Sequence, residues 1–163
     1  VAADVLAGLP AATAREVLED MNRQEARELV ELLRFEENTA GGLMTPELFA
    51  ASETTTVAGA ATTLRETEVG VDSLDTVYLL NEQNVLSGAV PVGRLLRATP
   101  ETPLGRLRTE QLVFVDTEAK ERQVFDLFDK YNLRSLPVVD AEQKLVGIIT
   151  VDDVVNRLWQ AHR

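Results

Sequence analysis

Apolar positions along the chain follow two regimes. Up to about residue 42 they recur with helical spacing only. Ala26, Leu29, Val30 and Leu33 fall at i, i+3, i+4 and i+7, which is one face of a helix. Thr13-Ala14-Arg15-Glu16 has the spacing of a capping box, and Asn22-Arg23-Gln24-Glu25 is a second helix-start signal. Gly41-Gly42 punctuates the chain. Beyond Met44, short apolar runs appear at residues 77–80, 85–90, 112–115, 136–139 and 145–149. Such runs, bounded by polar turns, predict buried strands. Between and after them lie helical stripes: Val124, Leu127, Phe128 and Tyr131, then Val151, Val154, Val155, Leu158 and Trp159. Phe114 and Phe128 are expected in the core, Asn132 at a left-handed helix end, and Pro137 at a strand start.

The strand region repeats itself. Residues 77–96 align with residues 136–155 at an offset of 59 with no gap, so that Leu86 falls on Leu145 and Gly88 on Gly147. Strand, polar turn, strand, glycine and helix coincide in both copies. One unit of this size leaves a sheet face uncovered, and two units stacked sheet to sheet would bury it. The repeat therefore predicts a pseudo-two-fold pair, with residues 99–103 as a linker.

Composition narrows the chemistry. The 163 residues are 45% apolar and 26% charged, an ordinary globular balance, with only 5% aromatic. There is no cysteine, which excludes disulfides, thiol nucleophiles and cysteine-bound zinc. There is one histidine, His162, next to the C-terminus, so neither a histidine metal cluster nor a Ser/His triad is expected. No apolar run reaches the ~20 residues of a membrane-spanning helix, and no signal peptide is visible. The chain opens at Val1 and reads as an excised or processed piece. Acids outnumber bases 27 to 16, for a net charge of -11. Such a surface repels a phosphate backbone and attracts cations, so nucleic acid is not an expected partner.

The residues of the repeat resemble a tandem CBS-domain pair. The second copy ends in Gly147-Ile-Ile-Thr150-Val-Asp-Asp153, the signature of that family. Residues 33–46, Leu-Arg-Phe-Glu-Glu-Asn-Thr-Ala-Gly-Gly-Leu-Met-Thr-Pro, further resemble the join between the helical N domain and the CBS pair of MgtE-type magnesium transporters. The resemblance implies an α/β fold: a tandem CBS-domain pair of two β-α-β-β-α repeats packed sheet to sheet, preceded by a short all-α segment. The boundaries are 1–42 for the helical segment, 43–102 for the first CBS repeat and 103–163 for the second. It also implies a cytoplasmic regulatory module that senses magnesium and gates a transmembrane domain absent from this chain. No membrane insertion of the fragment itself is expected. Homodimerisation through the CBS helices is implied too, and the Trp159 stripe suits it.

The resemblance carries two sets of candidate residues. Magnesium takes oxygen ligands and keeps several waters, so one or two acids per ion suffice. Asp152 and Asp153, opening the last helix, and Glu36 and Glu37, at the helical join, are the candidates for Mg2+. Asn156 replaces a further acid that the family carries one turn on. An adenine nucleotide is the second possible ligand, with Thr150 for phosphate, Asp153 for ribose hydroxyls, and Val113 and Val115 against the base. Thr150-x-x-Asp153 is equally a capping box for the last helix. In the first repeat, Pro91 and Arg94 stand where the hydroxyl and the acid belong, so at most one such nucleotide site is expected. No nucleophile-base pair is visible, and the chain is not expected to be an enzyme. A ligand-free dimerisation module is the remaining alternative.

Overall fold

The computed structural model describes residues 38–161. The helical expectations up to residue 37, together with Glu36, Glu37 and His162, lie outside the described residues. The described elements run in the order α1 (Ala40–Leu43), β1 (Ala50–Ser52), α2 (Val57–Glu66), β2 (Thr76–Leu80), β3 (Leu86–Pro91), α3 (Val92–Arg97), β4 (Val115–Asp116), α4 (Glu121–Tyr131), β5 (Ser135–Val139), β6 (Leu145–Thr150) and α5 (Val151–Ala161). Two 3-10 turns, at Val71–Ser73 and Leu104–Leu107, complete the set.

The strands form two three-stranded sheets, β1-β2-β3 and β4-β5-β6. In each, the first pair is parallel and the second antiparallel. The correspondence reaches single residues. Leu79 pairs Gly88 as Val138 pairs Gly147, and a bulge follows at Leu79/Leu80 and at Val138/Val139. The hairpin turns match as well. Asn81 Oδ1 accepts from the backbone N–H groups of Gln83 and Val85, and Asp140 Oδ1 from those of Glu142 and Lys144. A short side-chain acceptor at the first turn position is what such a turn needs. Asn84 and Gln143 then take the left-handed conformation, with φ of 61° and 66°.

Each repeat has its own helix-covered core. Val77, Leu79, Val90 and Leu95 pack with Phe49, Val57, Ala60 and Leu104 in the first. Leu136, Val138, Ile149 and Val154 pack with Val115, Val124 and Phe128 in the second. A third cluster lies between the sheets, built from Tyr78, Leu86, Val139 and Ile148. Burying side chains of this size stabilises by about 1.5–3 kcal/mol each, so the uncovered sheet faces drive the two repeats together. Val85 and Lys144, counterparts at the offset of 59, form an antiparallel bridge with each other, which places the pseudo-two-fold axis between them.

The segment preceding each repeat crosses to the other one. Ala40 N donates to Ala119 O and Gly41 N to Thr117 O, both at 2.8 Å. Correspondingly, Leu104 N donates to Thr55 O at 2.8 Å and Gly105 N to Glu53 O at 2.9 Å. Residues 38–45 thus lie on the second repeat, and residues 103–109 on the first.

Several local expectations change. The run 112–115 yields only the two-residue β4, and Phe114, expected in the core, is 42% exposed. Pro137 is the third residue of β5, not its start, but β4 pairs only from Val138 onward, so the missing N–H falls outside that ladder. Asn132 does close α4 in the left-handed conformation, its N–H donating to Phe128 O.

Candidate functional site: the cleft between the repeats

A cleft of about 390 Å³ opens between the two repeats. Its walls come from the start of β2, the end of β3, the linker before β4, and the α4–β5 turn; Asp75, Pro91, Val113, Leu133 and Arg134 are among the residues that form them. The lining is mostly apolar surface, with polar groups set into it. Among them Tyr78 and Ser135 share a short hydroxyl–hydroxyl hydrogen bond, and Ser135 Oγ donates to Asp75 Oδ1 at 3.4 Å. Tyr78 is 1% exposed, and burial pushes its phenol well above the ordinary tyrosine range. This chain of groups joins the first sheet to the second across the cleft floor.

The cleft lies beside Pro91, the first-repeat position without a hydroxyl. Arg94, on the turn that follows, is tied down: its Nη1 donates to the carbonyls of Leu107 and Arg108 at 2.9 and 3.2 Å. Of the residues expected around a nucleotide, Val113 lines this cleft. Val115 is buried in the second repeat's core. Thr150 and Asp153 are not among the cleft residues. They form a reciprocal cap on α5, with Thr150 N donating to Asp153 Oδ2 at 3.1 Å and Asp153 N to Thr150 Oγ1 at 3.2 Å. The cap does not exhaust their chemistry. A hydroxyl that accepts there can still donate to a phosphate, and the carboxylate has a second oxygen for a ribose hydroxyl. The donor set of that second position therefore fits an adenine nucleotide, while the cleft beside Pro91 lacks it.

Asp152 is exposed on the first turn of α5, next to Asp153. Among the described residues no group of three or more His, Asp or Glu side chains is placed to hold a metal ion. By themselves these two aspartates are not a complete donor set for a magnesium ion. Glu36 and Glu37 cannot be placed beside them. Also among the described residues, no helix is long and apolar enough to cross a membrane.

Sequence reasoning missed three polar connections. Besides the Tyr78–Ser135–Asp75 chain, Glu53 Oε2 accepts from Ser87 Oγ at 2.9 Å and from Arg108 Nη2 at 3.1 Å. The Ser87 hydroxyl and the Arg108 guanidinium together hold the Glu53 carboxyl below the usual carboxylate range. Third, Arg157 Nε donates to Glu121 Oε2 at 3.2 Å and Nη2 to Asn38 Oδ1 at 2.7 Å. Each joins residues far apart in sequence, and no local spacing announces such a pairing.

Two pseudo-symmetric β-α-β-β-α units, sheet to sheet around a cleft, define a CBS-domain pair, and residues 104–160 match the CBS domain family. Comparison with known proteins narrows this. The magnesium transporter MgtE of Thermus thermophilus is 37% identical over 142 residues, which span 86% of this chain and 32% of that protein. The crystal structure of the soluble part of a magnesium transporter superposes with a TM-score of 0.88 at 26% identity, covering 99% of this chain and 63% of that one. The cytosolic domain of the Mg2+ channel MgtE in complex with ATP superposes with a TM-score of 0.86 at 33% identity, covering 95% and 64%. The chain belongs to the CBS-domain pairs found in the cytosolic region of MgtE-type proteins. It spans about a third of the length of the transporter it matches.

Proposed function

We propose that this chain is the cytoplasmic regulatory region of a magnesium transporter, acting by binding and not by catalysis. The supporting observation is the combination of a CBS pair with a leading segment strapped across its second repeat, matched in sequence by MgtE transporters. In this reading Asp152 and Asp153 meet Glu36 and Glu37, or acids of a neighbouring domain, around Mg2+. Acids brought close without an ion repel each other; the ion removes the repulsion and favours a compact arrangement, and its loss releases that arrangement toward the transmembrane domain. Linkage of this kind is typically worth about 1–3 kcal/mol. Magnesium titration followed by thermal denaturation and small-angle scattering tests it. Compaction and a raised melting temperature in millimolar magnesium, beyond the effect of matched monovalent salt, support the reading. Indifference to magnesium ends it.

A second reading has its own support, since one structural relative is a complex with ATP. An adenine nucleotide would bind beside α5, with Thr150 donating to phosphate and Asp153 accepting from the ribose. Calorimetry with AMP and ATP decides, with Asp153→Ala as the control that must abolish any binding.

The homodimer belongs to the same proposal. Leu96 on α3 and Val155 on α5 are counterparts at the offset of 59, and both are exposed, at 86% and 57%. Leu158 and Trp159 extend the α5 patch. A surface whose apolar residues repeat about an internal two-fold axis suits self-association, because an isologous interface pairs like with like.

A further inference from the structure

The segment that enters at residue 38 precedes the first repeat in sequence, yet its outward hydrogen bonds go to the second. Asn38 O accepts from Glu121 N at 3.0 Å, Ala40 and Gly41 donate to Ala119 and Thr117, and Thr45 exchanges both backbone bonds with Ile148 at 2.8 and 2.9 Å. Met44 lies over Gly147. Arg157, midway along α5, completes the attachment. Its guanidinium reaches Glu121 at the start of α4 and the Asn38 side chain at the beginning of the segment. Three elements meet at this one cation.

We infer that Arg157 is a latch that fastens the incoming segment to α5 without any divalent ion. A guanidinium suits this role. It stays charged at every pH a cell experiences, and its planar fork serves a carboxylate and an amide oxygen at once. Arg157 also follows Asp153 by four residues, so the two side chains share one face of α5. The attachment of residues 38–45 to α5 is thus constant, and any change in the chain before residue 38 is delivered to the second repeat and its last helix, not to the first repeat. The latch stands apart from magnesium sensing: it holds whether or not an ion binds elsewhere.

Amide hydrogen exchange on the whole 163-residue chain tests the latch. The amides of Ala40 and Gly41 should be equally protected in EDTA and in millimolar magnesium. Arg157→Gln should speed their exchange about fivefold or more, as losing a charge-assisted bond predicts. The Tyr78 amide, bonded to Phe49 O in the first repeat, should be unchanged. Asn38→Ala removes the other end of the contact and should raise the same two rates, with the double variant no faster than Arg157→Gln alone. If Arg157→Gln unfolds the chain, Asn38→Ala decides by the same rates. Unchanged Ala40 and Gly41 exchange in the variants overturns the proposal, and so does loss of protection in the parent chain on adding EDTA.

Discussion

Met44 lies against Gly147 so closely that a Cβ added at 147 would stand 2.7 Å from Met44 Sδ and 3.0 Å from Thr45 O. Gly88, the counterpart in the first repeat, is covered by Arg108 instead, with its nearest contacts at 3.3–3.4 Å. The two repeats thus use one device, a segment laid over a β-strand glycine, with a thioether on one side and a guanidinium stem on the other.

The difference in clearance predicts a difference in stability. Gly147→Ala must displace Met44 and press on a backbone oxygen, an overpacking change that costs about 1–3 kcal/mol. Gly88→Ala meets only ordinary or slightly tight contacts and should cost clearly less. Urea denaturation of the two variants checks the order. Equal losses would mean that Met44 moves aside freely.

Glu53 gives the chain a predictable acid limb. Its carboxyl is held below the ordinary glutamate value of 4.5 by the Ser87 hydroxyl first and then by the Arg108 guanidinium. A depressed folded-state value means that the ionised form favours folding. That contribution is present above the unfolded value and fades as pH falls through the folded one. Glu53→Gln should therefore lower stability at neutral pH and flatten its decline below about pH 4.5. Denaturation midpoints from pH 7 to 3 measure this, and parallel curves for the two proteins would exclude the effect.

Tyr78→Phe removes the hydroxyl that meets Ser135 across the cleft floor. Ser135 is buried, so losing a partner should cost about 1–2 kcal/mol. Most of that cost should be recovered in a Tyr78→Phe, Ser135→Ala double variant, which leaves no unpaired hydroxyl behind and gives up only the long Ser135–Asp75 bond. An additive double variant, measured by the same denaturation, would show that the two hydroxyls are not coupled.

Legibility follows the spacing of the repeat. The turn built on Asn81 and Asn84 recurs at Asp140 and Gln143 because the offset of 59 is unbroken through both hairpins, so the β2–β3 and β5–β6 hairpins and α5 were readable. The exchanged segments were not. Gly41, Leu43, Thr45 and Leu48 recur as Gly105, Leu107, Thr109 and Leu112, but at an offset of 64. The first repeat spends the extra residues between α2 and β2, around the turn at Val71–Ser73, whereas α4 leads almost directly into β5. That insertion breaks the register and hides the first half of each repeat. The cap of Thr150 and Asp153 was visible as a spacing, being local. The cleft was not, since its walls are drawn from both repeats and from the linker.

The exposed helix face carries the last prediction. Trp159 is 68% exposed and Leu96 86% exposed in the single chain, so neither contributes much to the chain's own core. If copies pair through this face, Trp159 is the aromatic anchor, and burying it supplies much of the association energy. Trp159→Glu should then weaken self-association at least about tenfold, and Leu96→Glu should act in the same direction. Both variants should keep the parent's circular dichroism, because nothing inside the repeats is disturbed. Sedimentation velocity over a concentration series reads the change. A parent chain that sediments as a monomer at every concentration, or a Trp159→Glu variant that still pairs as tightly, would assign this face to something other than a second copy.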